Sequence, residues 1–243
     1  MAFDPDDLHA SFGHADEAHF AWQTTNPYIE EAERSLVQSA FFPLARRVLD
    51  VGCGEGATFF HLGAGEGAVG VELFEDKIRF ARERLPACTF LVASGTDLPF
   101  EAGSFDQVIF RDVIHHMPEP EKALREARRV LAPGGRIDVL EPCRNNPLIL
   151  AHALTNAVER GELRSSVGYL RGLLEAEFDV ESVQKLQPFP IHRLVFHPSM
   201  GRPALAERPL VRSLVGAFER AAGLALPRAV WAYIHLRSRV RPV

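Results

Sequence analysis

The chain is poor in cysteine, in basic charge and in long apolar runs, and each shortage removes a class of protein. Only three cysteines occur in 243 residues, Cys53, Cys88 and Cys143, and their spacing suits neither a disulfide framework nor a zinc cluster. They read as free thiols in strands and turns. No segment approaches the ~18 consecutive apolar residues of a membrane span. The first residues, with Asp4, Asp6 and Asp7 close to Met1, lack the basic start and apolar stretch of a signal peptide. A cytoplasmic location is therefore expected. A net charge of −5, with no basic face across the first 200 residues, gives little support to binding a phosphate backbone. Nucleic acid is not an expected partner, and oligomeric state is not legible. His9, His14 and His19 recur every five residues, as do His192 and His197, but no Cys/His cluster has zinc-ligand spacing. No metal is expected, and no internal repeat or low-complexity segment is present.

What remains is a hydrophobic content of 47%, enough for one full core with an elaboration. From Arg47 the pattern alternates strands and helices, which implies parallel βαβ units. Strands are expected near 47–51, 68–72, 88–92, 105–111 and 136–141, and helices near 55–63, 75–85 and 119–131. Ahead of them, Asn26-Pro27 opens a helix that runs toward Pro43. Beyond Pro142, 147–161 and 166–177 read as helices, 180–186 as a strand and 230–236 as a last strand. Residues 209–224 form an amphipathic pattern with Leu210, Leu214, Phe218 and Ala221 on one face. From residue 202 onward eight Arg face two Glu, about +6 against −11 for the remainder. A cap helix with solvated arginines is the expected reading, and peripheral contact with an anionic membrane the alternative.

The run Leu49-Asp50-Val51-Gly52-Cys53-Gly54-Glu55-Gly56-Ala57 reads as a parallel strand that breaks into a glycine turn and opens a helix. Glycine belongs there because a ligand must approach the backbone closely and the turn needs unusual φ/ψ. The run alone also satisfies a dinucleotide fingerprint, with Glu72 twenty residues past Gly52. Asp50 tilts the choice, since a carboxylate at the strand end suits a cationic ligand group rather than a pyrophosphate.

Further motifs follow in order: Ala68-Val69-Gly70-Val71-Glu72, Leu98-Pro99-Phe100, Gly103 to Phe110, His115-His116-Met117-Pro118, and Ala123 to Gly135 leading into a strand ending at Glu141-Pro142. Over residues 46–142 the chain closely resembles the class I S-adenosylmethionine-dependent methyltransferases, particularly the small-molecule branch that includes ubiquinone and menaquinone methyltransferases. That resemblance implies an α/β fold, a Rossmann-like seven-stranded sheet with helices on both faces. The N-terminal segment 1–45 and a cap insertion at about 144–228 would form a lid over the domain 46–243. Phe12, Phe20, Trp22 and Tyr28 on one side, and Phe189, Phe196 and Met200 on the other, would suit a substrate pocket, with plain core as the equal alternative.

By the same resemblance, Asp50, Gly52, Cys53 and Gly54 form the turn that accepts the methionine part of the cofactor. Glu72 takes the ribose hydroxyls, and Leu73 packs on the adenine. The family pattern usually has an Asp where this chain has Ser94, so adenine recognition leans on an uncharged hydroxyl and on Gly95. The Arg111 carbonyl is a candidate acceptor for the cofactor amino group. Its guanidinium is a candidate for an anionic substrate group, or else pairs with Asp112 or Glu141. His115 and His116 are candidate general bases, with a packing or turn-capping role as the alternative. The expected function is methyl transfer from S-adenosylmethionine to an O, N or C nucleophile of a small, apolar molecule. A non-catalytic S-adenosylmethionine-binding or partner-binding module and an NAD-dependent oxidoreductase are the rivals.

Overall fold

The computed structural model describes residues 13–198 and 201–241. Seven strands form one sheet in the order β3-β2-β1-β4-β5-β7-β6. They are β1 (Val48–Val51), β2 (Ala68–Glu72), β3 (Thr89–Val92), β4 (Phe105–Arg111), β5 (Leu131–Pro142), β6 (Phe178–Leu186) and β7 (Tyr233–Val240). The first five are parallel, and β7 runs antiparallel between β5 and β6. β1 is flanked by β2 on one side and β4 on the other, so the strand order reverses at its carboxyl end. Open sheets of this kind bind ligands in the crevice at that point.

Alternating side chains divide the core into two faces. Leu49, Val51, Val108, Phe110 and Val139 pack with α5 (Pro120–Val130) and α7 (Val167–Glu175). Val48, Ile109 and Leu140 pack on the other face with α2 (Pro27–Phe41), α3 (Ala57–Leu62) and α4 (Glu75–Arg84). The expected helices on both faces are thus present. α2 begins where Pro27 supplies N1 and the Asn26 side chain accepts from the amides of Tyr28 and Ile29.

Several boundaries differ from the sequence expectation. β5 starts at Leu131, because Pro133-Gly134-Gly135 is carried inside the strand rather than before it. The expected helix over 147–161 is α6 (Pro147–Thr155) followed by a 3₁₀ segment (Ala157–Arg164), with Asn156 capping the second piece. β7 begins at Tyr233 because Pro227 leads into a short 3₁₀ turn over Arg228–Val230. Within the stretch 144–228, β6 belongs to the sheet, so the chain outside the sheet falls into two parts. The later part holds α8 (Ile191–Val195), a 3₁₀ turn (Pro203–Glu207) and α9 (Pro209–Ala225).

α9 turns its expected apolar face outward. Val215 and Gly216 are buried, while Leu210, Leu214 and Phe218 are exposed. Phe20 packs edge-on against Phe60 and Phe80, and α1 (Glu17–Thr25) thereby docks on the first helices of the sheet. Trp22, Ile29, Phe196 and Val215 form a third core joining α1 and α2 to the 191–215 segment. The aromatics Phe20, Trp22 and Phe196 are therefore core residues, and Tyr28 packs beside them. Phe12 and Met200 lie outside the described residues.

Candidate functional site

The glycine turn follows β1 directly. Gly52 and Cys53 both donate to the Val71 carbonyl, at 2.8 and 3.0 Å, which folds the turn back over β2. Gly52 has a φ of +75°, and a Cβ there would lie 2.4 Å from a Val113 methyl. The position needs glycine on both counts. Gly54 donates to one Glu72 oxygen at 3.2 Å, and the other Glu72 oxygen accepts from Leu73 at 2.7 Å. Glu72 thus braces the turn from the end of the neighbouring strand, and the Leu73 side chain beside it is 58% exposed. Cys53 is buried, and burial pushes its thiol well above the ordinary range, so it stays protonated.

Asp50 is fully enclosed at 1% exposure, yet neither carboxylate oxygen has a hydrogen-bond partner among the described residues. Burial pushes its carboxyl up to about 7; the Thr58 hydroxyl, close by but outside hydrogen-bonding geometry, and Arg111 offset only part of that. A buried, unpaired acid at a ligand crevice can receive a cationic group. Ser94 takes part in a local turn, sharing a 2.8 Å contact with the Thr96 hydroxyl and accepting from the Thr96 amide. Gly95 lies tight against Val51, where a Cβ would approach to 2.8 Å.

Arg111 ends β4 with its guanidinium 8% exposed. Its partner is Glu33 of α2, at 2.9 Å, with Asp112 farther off at 3.6 Å. Glu141 is not among its partners, contrary to one of the two expected pairings. Arg193 of α8 reaches the same Glu33 oxygen at 2.6 Å. Burial alone would raise Glu33, but Arg193, His192 and Arg111 override it and hold the carboxylate far below its usual range. His192 in turn contacts Glu219 at 2.7 Å, tying α8 to α9. This network joins α2, the end of β4 and the 191–219 segment over the carboxyl edge of the sheet.

His115 and His116 lie on a 3₁₀ turn (Ile114–His116) two residues past the left-handed Asp112 (φ 51°). Glu141, at the end of β5, accepts from the amides of Val113 and Ile114 at 2.8 Å each and contacts His115 Nδ1 at 2.6 Å. Burial would lower His115, but the Glu141 and Glu159 carboxylates raise it well above its ordinary value. His116 is instead lowered to about 4 by burial and by His115. Glu159, from the 3₁₀ segment after α6, faces both rings.

Sequence reasoning missed Glu33, Arg193 and Glu159. Glu33 reads as one acid among several on an amphipathic helix, and nothing local marks it as buried.

Residues 49–138 match a family model described as a methyltransferase domain. The demethylmenaquinone methyltransferase of Clavibacter sepedonicus is 35% identical over 135 residues, 52% of this chain and 55% of that protein. The chloroplastic tocopherol O-methyltransferase of Arabidopsis thaliana is 37% identical over 109 residues, 42% of this chain and 31% of that protein. The match thus spans about half or less of these relatives. Among solved structures, a possible histamine N-methyltransferase from Thermotoga maritima superposes with a TM-score of 0.61 at 21% identity, covering 92% of this chain and 99% of that one. Geranyl diphosphate C-methyltransferase from Streptomyces coelicolor A3(2) gives 0.62 at 17% identity, covering 95% and 90%. The fold is the class I methyltransferase fold.

Proposed function

We propose, from the methyltransferase domain that residues 49–138 carry, that the protein transfers a methyl group from S-adenosylmethionine to a small-molecule acceptor. The observation that supports this best is the orphaned Asp50 carboxylate beneath the glycine turn. It fits the ammonium of the cofactor's methionine part, while Gly52, Cys53 and Gly54 give the close backbone approach. Each Glu72 oxygen accepts one backbone amide and keeps lone-pair capacity for a ribose hydroxyl. The exposed Leu73 side chain offers an apolar face for adenine, with Ser94 and Gly95 at its edge. The Arg111 carbonyl is assigned to the cofactor's amino group.

The cofactor supplies a sulfonium leaving group and an electrophilic methyl. The protein's part is to align the acceptor and exclude water, worth roughly 7–11 kcal/mol of the barrier. His115, held between two carboxylates, is a positioning residue in this reading. His116, lowered to about 4 and so neutral at pH 7, has a positioning part as well. Segments 13–41 and 187–232 close over the crevice as its lid and cap, with the Glu33, Arg111 and Arg193 network joining them. The acceptor's class, an O, N or C nucleophile on a small apolar molecule, is part of this proposal. Free, buried cysteines suit a reducing cytoplasmic compartment. No helix among the described residues is long and apolar enough to cross a membrane. The outward Leu210, Leu214 and Phe218 stripe, near Arg212 and Arg220, suits peripheral contact with an anionic membrane. The NAD-dependent and non-catalytic alternatives draw no support from the relatives.

Calorimetry with S-adenosylhomocysteine tests the reading. Glu72→Ala should lose about 2–4 kcal/mol of affinity, since hydrogen bonds to a charged group contribute about 1.5–3 kcal/mol each before water replaces them. No binding by the wild type, or equal binding by the variant, removes this assignment.

A further inference from the structure

The side chains of His115, His116 and Glu159 converge although their order in the chain gives no sign of it. The Nε2 atoms of His115 and His116 face the same Glu159 oxygen at 3.4 and 3.5 Å. These separations exceed the 2.6 Å His115–Glu141 contact on the other ring nitrogen, and they exceed the ~2.7–2.9 Å of a charge-assisted hydrogen bond. They do match another geometry. Two ligand atoms about 2.1 Å from a tetrahedral zinc ion stand about 3.4 Å apart. The three ligand atoms of His115, His116 and Glu159 all lie within 4.8 Å of one another.

We propose that His115, His116 and Glu159 bind one divalent transition-metal ion of the zinc type, which no relative's resemblance assigns to this chain. Two nitrogens and one carboxylate oxygen suit such an ion better than magnesium or calcium, which take mainly oxygen ligands. Glu141 completes the arrangement. By accepting from His115 Nδ1 it turns Nε2 toward Glu159, the carboxylate–histidine pairing that orients metal ligands. On the other side of Glu159, His152 and Glu162 are paired at 3.4 Å and share its neighbourhood. The His116 and Glu159 side chains keep 18% and 16% of their surface open. Solvent therefore reaches the cluster, and a fourth ligand to the ion would be water or another oxygen. The site lies at the carboxyl ends of β4 and β5, the edge where the methyl acceptor is proposed to sit. It stands independently of the cofactor assignment.

The test uses the full chain, stripped of metal and of any affinity tag, titrated with Zn²⁺ against a chromophoric chelator. One equivalent should bind with a dissociation constant of about 10 µM or tighter. Glu159→Gln, which keeps the shape, and His116→Ala should each weaken binding at least about 10-fold. His14→Ala, whose ring faces Asp76, should leave it unchanged. Co²⁺ should give the visible absorption of a four-coordinate ion in the wild type, lost in Glu159→Gln. A thermal scan checks folding, and if His116→Ala fails to fold, Glu159→Gln decides alone. Wild-type binding weaker than about 10 µM, or wild-type affinity in either folded variant, overturns the site and leaves a His–Glu ion-pair network. Affinity of the metal-free protein for S-adenosylhomocysteine separates the two proposals, since each can fail while the other holds.

Discussion

Binding of the cofactor should release a proton from Asp50. In the ligand-free protein the carboxyl is raised to about 7, by burial above all, against an ordinary value of 3.8. A bound ammonium favours the ionised form and returns the group to the ordinary range or below. The difference of about 3 pKa units corresponds to about 4 kcal/mol, or about 10³ in affinity. The sign follows: protonated Asp50 offers the ammonium no charge, so affinity climbs as pH rises from about 4 to 7 and then levels off. About 0.5 proton should leave per ligand at pH 7, about 0.9 at pH 6 and about 0.1 at pH 8. Calorimetry with S-adenosylhomocysteine in two buffers of different ionisation enthalpy counts those protons. Asp50→Asn should release none and bind more weakly. The ligand-free variant should nevertheless be more stable at pH 8, because folding no longer buries an ionised, unpartnered acid. That gain should be about 1–3 kcal/mol once the unpartnered amide is allowed for. A proton count that is flat between pH 6 and 8, or equal in Asp50→Asn, would refute the reasoning.

Three further tests use variants elsewhere in the frame. Gly52→Ala should destabilise by about 1–2 kcal/mol for the left-handed backbone and by about 1–3 more for the Val113 collision. In urea unfolding, Gly52→Ala with Val113→Ala should recover only the second share, and full recovery would show that φ is not the constraint. In the metal-free protein, the raised His115 makes the wild type lose stability as pH climbs above 6.5, where the unfolded histidine deprotonates while the folded one keeps its proton. Glu141→Gln should flatten that slope, and an unchanged slope between pH 7 and 9 in denaturant titrations would take Glu141 out of the pairing. Leu214→Ser, on the exposed stripe of α9, should change stability by less than about 0.5 kcal/mol; a melting-temperature drop of several degrees would mean that the stripe is covered.

The five parallel strands were legible because each carries a short apolar run in a chain that alternates strand and helix patterns, and the glycine turn follows β1 by a fixed local rule. Asp50, Gly52 and Glu72 could be marked for the same reason: their chemistry is encoded within one βαβ unit. Glu33 could not be, since its burial is decided by Arg111 and Arg193, 78 and 160 residues away in the chain. Helical period gives the apolar stripe of α9, that is, which residues share a face, and says nothing about which face is covered. Gly216 is inside because its lack of a side chain lets α9 approach Tyr28, and Val215 packs beside it in the third core. His115, His116 and Glu159 escape any spacing rule because Glu159 arrives on a separate segment, after β5 and α6.

Asn146 caps α6 with its side-chain oxygen, and its amide nitrogen donates to the carbonyls of Pro188 and Val230. The chain between those two residues therefore departs from the sheet and rejoins it at one side chain, next to the Leu186–Tyr233 pair that closes the β6–β7 ladder. With its ends clamped together, that excursion is free to lengthen, shorten or change composition without shifting the register of either strand. In the proposed function, changes of acceptor would therefore fall within that excursion, while the glycine turn stays where β1 and β2 put it.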